Sequence, residues 1–218
     1  SDLVIMQNNI VLLSFGESSK AYQALSELKQ AAAQNKIVLK TAAVVECNAD
    51  GSLHIRDGYS DGAAGDAALA GTAIGALLGV LGGPLGVLML GATGGLLGSM
   101  VSLDTLVVRA SLLEQITQGI PAGAVAVLAE VEESDNAAVD AIVQSLGNGL
   151  LLRRPVEALL VEIAAAEEAQ EAAAKEARKV LREKQKAEWK DKFDNWKEEV
   201  GDKVTNLKND IKARFEKK

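Results

Sequence analysis

Residues 10–47 read IVLLSFGESSKAYQALSELKQAAAQNKIVLKTAAVVEC, and this stretch decides the fold. Ile10 to Phe15 is an apolar run of strand length. Gly16-Glu17-Ser18-Ser19 then makes a turn in which Ser18 or Ser19 can serve as N-cap. Ala21, Ala24, Leu25, Leu28 and Ala32 recur at helical spacing between Lys20 and Gln34, and Ile37 to Cys47 closes the unit as a second strand. Residues 124–154 repeat the plan: a strand over Ala124–Val131, a Glu132-Glu133-Ser134-Asp135 turn, and a helix through Val139, Ile142, Val143 and Leu146. Gly147-Asn148-Gly149 ends that helix, and a strand returns over Leu150–Arg154. Two strand–helix–strand units paired in one antiparallel sheet predict an α+β protein. The expected form is a ferredoxin-like split βαβ layer with helices on one face.

Outward from the first unit, Leu53 to Arg56 predicts a third strand, joined to the second at Asp50-Gly51. A two-residue loop would set Leu53 and Ile55 against Asn48 and Glu46. A three-residue loop, with Gly51 left-handed, instead aligns Val45 and Cys47 with Ile55 and Leu53, and Glu46 with His54. It sorts polar from apolar residues and is the register expected.

Between the two units lies an uncharged stretch, Ala67–Leu103: AALAGTAIGALLGVLGGPLGVLMLGATGGLLGSMVSL, fenced by Asp66 and Asp104. Gly71, Gly75 and Gly79 stand four apart, Gly82-Gly83-Pro84 breaks the run, and Gly91 and Gly95 repeat the spacing. Four-residue spacing puts glycines on one helix face and lets two backbones approach. The expectation is a glycine-zipper helical hairpin with glycines inside and Leu, Ile, Val and Met outside. Ala67–Gly82 would be about 24 Å long and Leu85–Ser102 about 27 Å, against a hydrocarbon core of about 30 Å. The flanks are acidic and lack an aromatic belt, which argues against a conventional span. Insertion or wedging into a bilayer is the reading taken here, and burial within a soluble assembly is its rival. Leu106–Gln118 predicts a helix after the hairpin, stopped by Gly119-Ile120-Pro121.

From Val156 onward the pattern is continuously helical. Trp189, Phe193, Trp196, Val200, Val204, Leu207, Ile211 and Phe215 form an apolar stripe near an eleven-residue period, interleaved with lysines. A stripe of this kind meets a partner helix, the body or a bilayer surface. The domain reading is therefore 1–62 for the first half with its hairpin strand and 63–118 for the apolar hairpin and following helix. Residues 119–155 make the second half, and 156–218 the C-terminal amphipathic helix.

Positions 10–154, with Gly82-Gly83-Pro84-Leu85-Gly86 inside the insert, resemble a bacterial family of proposed membrane proteins of unknown function. In that family a glycine-rich hairpin interrupts a ferredoxin-like domain. The resemblance implies membrane association or assembly and supplies no catalytic residue. The tail from Trp189 to Phe215 lies outside it.

Composition narrows the chemistry. The chain has 218 residues, 48% of them apolar and 3% aromatic, and a net charge of −7. From Arg178 to Lys218 basic side chains outnumber acidic ones 14 to 9, which leaves 9 basic against 21 acidic in the rest. An acidic body does not predict a nucleic-acid partner. One Cys and one His, Cys47 and His54, fall on opposite faces of the predicted hairpin and predict no metal site, only a core thiol and a surface imidazole. No phosphate loop, dinucleotide fingerprint or nucleophile elbow occurs, so no cofactor is expected and no small-molecule substrate is identified. Glu132-Glu133 and Glu167-Glu168 read as solubilising, and Arg153-Arg154 as a strand-end pair whose long side chains reach outward to solvent, with lipid headgroups or an acidic patch on a neighbour as the alternative. The N-terminal SDLVIMQNNIVLL lacks a basic start and cleavage pattern, so a cytoplasmic, membrane-associated location is expected. Together these features predict a non-enzymatic structural protein that self-assembles at a membrane. A soluble homo-oligomer or filament is the alternative, and a small-ligand sensor built on the sheet is a second.

Overall fold

A computed structural model describes residues 5–49, 52–61, 63–64, 66–82, 112–147 and 149–182. The fold is mixed α+β around one antiparallel sheet. Both strand–helix–strand units form: β1 (Gln7–Phe15), α1 (Ser18–Ala33) and β2 (Val38–Cys47), then β5 (Val125–Glu133), α4 (Ala137–Ser145) and β6 (Leu150–Pro155). Between them come β3 (Leu53–Ser60), the two-residue β4 (Ala63–Ala64), a 3-10 turn (Asp66–Leu69), α2 (Ala73–Leu81) and α3 (Leu112–Gln118). The last element is α5 (Val156–Arg182), a single helix of 27 residues. The sheet order is β4-β3-β2-β5-β1-β6, so β5 lies between β1 and β2, and β1 lies between β5 and β6.

The β2–β3 register is the one the three-residue loop requires: Val45 faces Ile55, Glu46 faces His54 and Cys47 faces Leu53. Cys47 is buried and His54 exposed. The strand continues past its expected end at Arg56 because the pairing shifts between Val44 and Val45, which makes Arg56 the extra residue of a bulge. Tyr59 thereby pairs with Ala42 and packs on the core beneath α1, with Lys29 Nζ 4.9 Å from the centre of its ring.

Helix starts differ from expectation. Glu17, not Ser18 or Ser19, is the N-cap of α1, and its backbone carbonyl accepts from Lys20 N at 3.2 Å while its side chain makes no capping bond. Ser18 and Ser19 already lie in the first turn.

The larger correction concerns the sheet's faces. Helices α1 and α4 cover one face over Val11, Leu13, Val44, Val127 and Val131, as predicted. The other face is covered as well: α2, α3 and α5 bury Ile10, Leu12, Val45 and Leu128 beneath Leu77, Leu81, Ile116, Leu159 and Ile163. Central strands buried on both sides need apolar residues at consecutive positions, which is why residues 10–13 read Ile-Val-Leu-Leu without alternation.

The first hairpin arm is also shorter than expected. A continuous helix over Ala67–Gly82 is not formed; a 3-10 turn, a left-handed Gly71 (φ 76°) and the cap residue Thr72 precede the nine residues of α2. At 1.5 Å per residue α2 is about 14 Å long, and no helix among the described residues is long and apolar enough to cross a membrane. The second arm, with Gly83, Pro84, Gly91 and Gly95, lies outside the described residues, as do residues 106–111 and the stripe from Trp189 to Phe215.

Candidate functional site

The short helix α2 is fixed locally by its cap. Thr72 Oγ1 accepts from Gly75 N at 3.0 Å and donates to Leu69 O at 2.7 Å, so one hydroxyl ties the helix start to the preceding 3-10 turn. Side chains then sort by size. Ile74, Leu77, Leu78, Val80 and Leu81 are buried, whereas Gly71, Gly79 and Gly82 are exposed and Gly75 is half-buried. The surface that receives these large residues is the protein's own sheet; the glycine-to-glycine contact between the two arms of the expected hairpin lies outside the described residues. The large residues are spent on the sheet, each worth about 1.5–3 kcal/mol when fully buried, and the glycines look away from it.

Of the predicted assembly residues, Gly71, Gly75 and Gly79 line one groove of about 910 Å³. Its other walls are Leu69 and Leu78, Ile55 of β3, and Val156 and Leu160 of α5. Leu160 is 42% exposed on the rim. Gly82 is the C-cap of α2 and does not line the groove.

The glycines are not equivalent. A Cβ on Gly75 would fall well inside van der Waals contact with the Leu69 carbonyl oxygen, whereas a Cβ on Gly79 would meet nothing within 4 Å. Gly75 is thus required within the chain, and Gly79 leaves open space.

One end of the groove is polar. Asn8 and Glu130, on adjacent strands, line it, and Asn8 Nδ2 donates to Glu130 Oε2 at 3.0 Å. Glu130 is 8% exposed. Lys40 Nζ stands 3.7 Å from the same Oε2 but lies closer, at 2.9 Å, to Glu132 Oε1. That hydrogen bond to Glu132 holds the Lys40 ammonium above the usual lysine range. No motif singles out Glu130. Its signal was register: Ala126, Leu128 and Glu130 share a face, so a carboxylate stands where an inward residue was due.

A second polar cluster lies on the opposite face. Glu133, 1% exposed, accepts from Asn9 Nδ2 at 2.9 Å and from Arg153 Nε at 2.6 Å, while Arg153 Nη1 reaches Asp140 Oδ1 at 3.2 Å. The solubilising role expected of Glu133 is therefore overturned, because β5 runs two residues beyond Val131 and carries Glu133 under α4. Arg153 is held by that carboxylate rather than reaching into solvent. Its pKa is raised: burial opposes the charge, but the hydrogen bonds and fields of Glu133 and Asp140 outweigh that. Arg154, on the other face, donates from Nε to Gln115 Oε1 at 2.7 Å, and burial lowers its pKa.

Glu162 is the third residue that sequence reasoning missed. It lies on α5, 3% exposed, and its carboxylate accepts from Leu112 N at 2.9 Å and Leu113 N at 3.2 Å, capping α3 from a neighbouring helix. Nothing in the local sequence marks a cap supplied from fifty residues away.

Compared with family models, curated proteins and solved structures, the chain matches none.

Proposed function

We propose that this chain is a non-enzymatic assembly module that meets further copies of itself through the outward glycine face of α2 and works at a membrane surface. The observation that carries the proposal is the orientation of α2. A helix whose leucines already serve its own core still presents bare backbone at Gly79, in one groove with the exposed Gly71 that precedes the helix and the half-buried Gly75, flanked by the half-exposed Leu160. Such a surface lets a second backbone approach closely, and close packing rather than hydrophobic area then holds the contact.

The strand order supports a ferredoxin-like body, because β1 and β2 are parallel and separated by β5, as in two interleaved split βαβ units. On that reading the apolar insert begins after β4 and returns at α3. The bacterial membrane-protein family remains a resemblance, carried by the glycine-rich motif around Gly82-Gly83-Pro84. The uncharged stretch over 67–103 supports a surface or wedging contact with lipid.

Gly79→Leu is the direct variant, since the new side chain projects into open space. Light scattering is expected to show a smaller particle for Gly79→Leu than for the native chain, with circular dichroism unchanged. Flotation of the native chain with liposomes is expected without detergent. An unchanged particle in Gly79→Leu would overturn the assembly reading, and failure to float would leave the soluble homo-oligomer in its place.

A further inference from the structure

We infer that the polar end of the α2 groove is a binding site for a protonated amine carried on an apolar body. Among the described residues, two buried side-chain atoms have no hydrogen-bond partner: Asn8 Oδ1 and Thr41 Oγ1. Both stand beside Glu130. Asn8 bonds its carboxylate, and Thr41, 5% exposed, is its cross-strand partner on β2. Thr41 alternates with Ala43 and Val45, so it stands on the sheet face that α2 covers.

The charge at this end is acidic. Lys40 is shared between Glu130 and Glu132, with the shorter contact to Glu132. Among the described residues, both contacts to Glu130 fall on Oε2, and Glu130 itself lines the groove. Asn8 Oδ1 can only accept and Thr41 Oγ1 can accept or donate, so an N–H donor suits both, and the surplus carboxylate selects a cation. Ile55, Leu69, Leu78, Val156 and Leu160 then supply apolar walls for the rest of the molecule. The volume of about 910 Å³ suits a small organic ligand.

The amine site does not require self-assembly, but the two share one groove, so a bound amine and a second copy compete for it and the titration is run on dilute protein. The test is calorimetric titration of the full chain with n-decylammonium below its micelle concentration, with decanoate as a control of equal length and opposite charge. Decylammonium is expected to bind and decanoate not to bind. Glu130→Gln, which can still accept from Asn8 Nδ2, is expected to weaken decylammonium about tenfold or more while leaving particle mass and melting unchanged. Gly79→Leu, filling the groove, is expected to abolish amine binding as well as to reduce the particle. Equal binding of the two amphiphiles, native affinity in Glu130→Gln, or native affinity in Gly79→Leu would each overturn the site. None of those three results would touch the assembly reading, which depends on particle mass alone.

Discussion

Gly75 and Gly79 sit one helical turn apart and carry opposite constraints. Gly75→Ala drives a methyl group into the Leu69 carbonyl and is expected to cost roughly 1–3 kcal/mol, the usual range for overpacking. Gly79→Ala meets open space and is expected to stabilise by about 0.5–1 kcal/mol, because alanine loses less backbone entropy in a helix. Urea denaturation of the two variants checks both signs. Arg153→Ala leaves Glu133 buried without its guanidinium and is expected to cost about 3–5 kcal/mol, read in the same way. Lys40 supplies the pH test. Its raised pKa means that its contribution is present in full below the ordinary lysine range and is lost as pH climbs through the raised value. The side chain is 40% exposed, so the loss is small, and Lys40→Met should flatten the stability profile in that alkaline window. At this scale the sequence was least legible. Cys47 and His54 could be placed by register, but Glu130 and Glu133 needed the full length of β5, and Glu162 needed a contact between distant helices.

At the scale of elements, strands and helices were largely readable, because runs such as residues 10–15 and spacings such as Ala21-Ala24-Leu25-Leu28 have few alternatives. The facing of α2 was not. Its period places leucines on one side and glycines on the other, and hydropathy alone does not say which side meets a core. The deciding information lay elsewhere, in the unbroken apolar run of β1, which demands cover on both faces. Helix α3 depends on α5 in a different way. Glu162→Ala removes the carboxylate that accepts from Leu112 N and Leu113 N and is expected to cost roughly 1–3 kcal/mol. Hydrogen exchange should quicken across Leu112–Gln118 and stay slow in α1, which packs on the opposite face of the sheet. Uniform exchange in the variant would show that packing, not the cap, holds α3.

For the whole molecule, the two covered faces change what the apolar insert can do. A bilayer would accept the leucines of α2 as readily as the protein core does. Peeling α2 away would nevertheless expose Ile10, Leu12, Val45 and Leu128 of the sheet, at about 1.5–3 kcal/mol for each large side chain. Against a total stability of roughly 5–15 kcal/mol, that exposure would unfold the body, so α2 works as part of it. What remains for assembly is the glycine face. Maleimide labelling of Gly79→Cys and Leu77→Cys measures this orientation directly, since the one native thiol, Cys47, is fully buried. The account predicts rapid labelling of Gly79→Cys in dilute protein, protection of the same site as concentration rises, and slow labelling of Leu77→Cys throughout. Faster labelling at position 77 than at position 79 would mean that the leucines face outward, and would contradict the account at its centre.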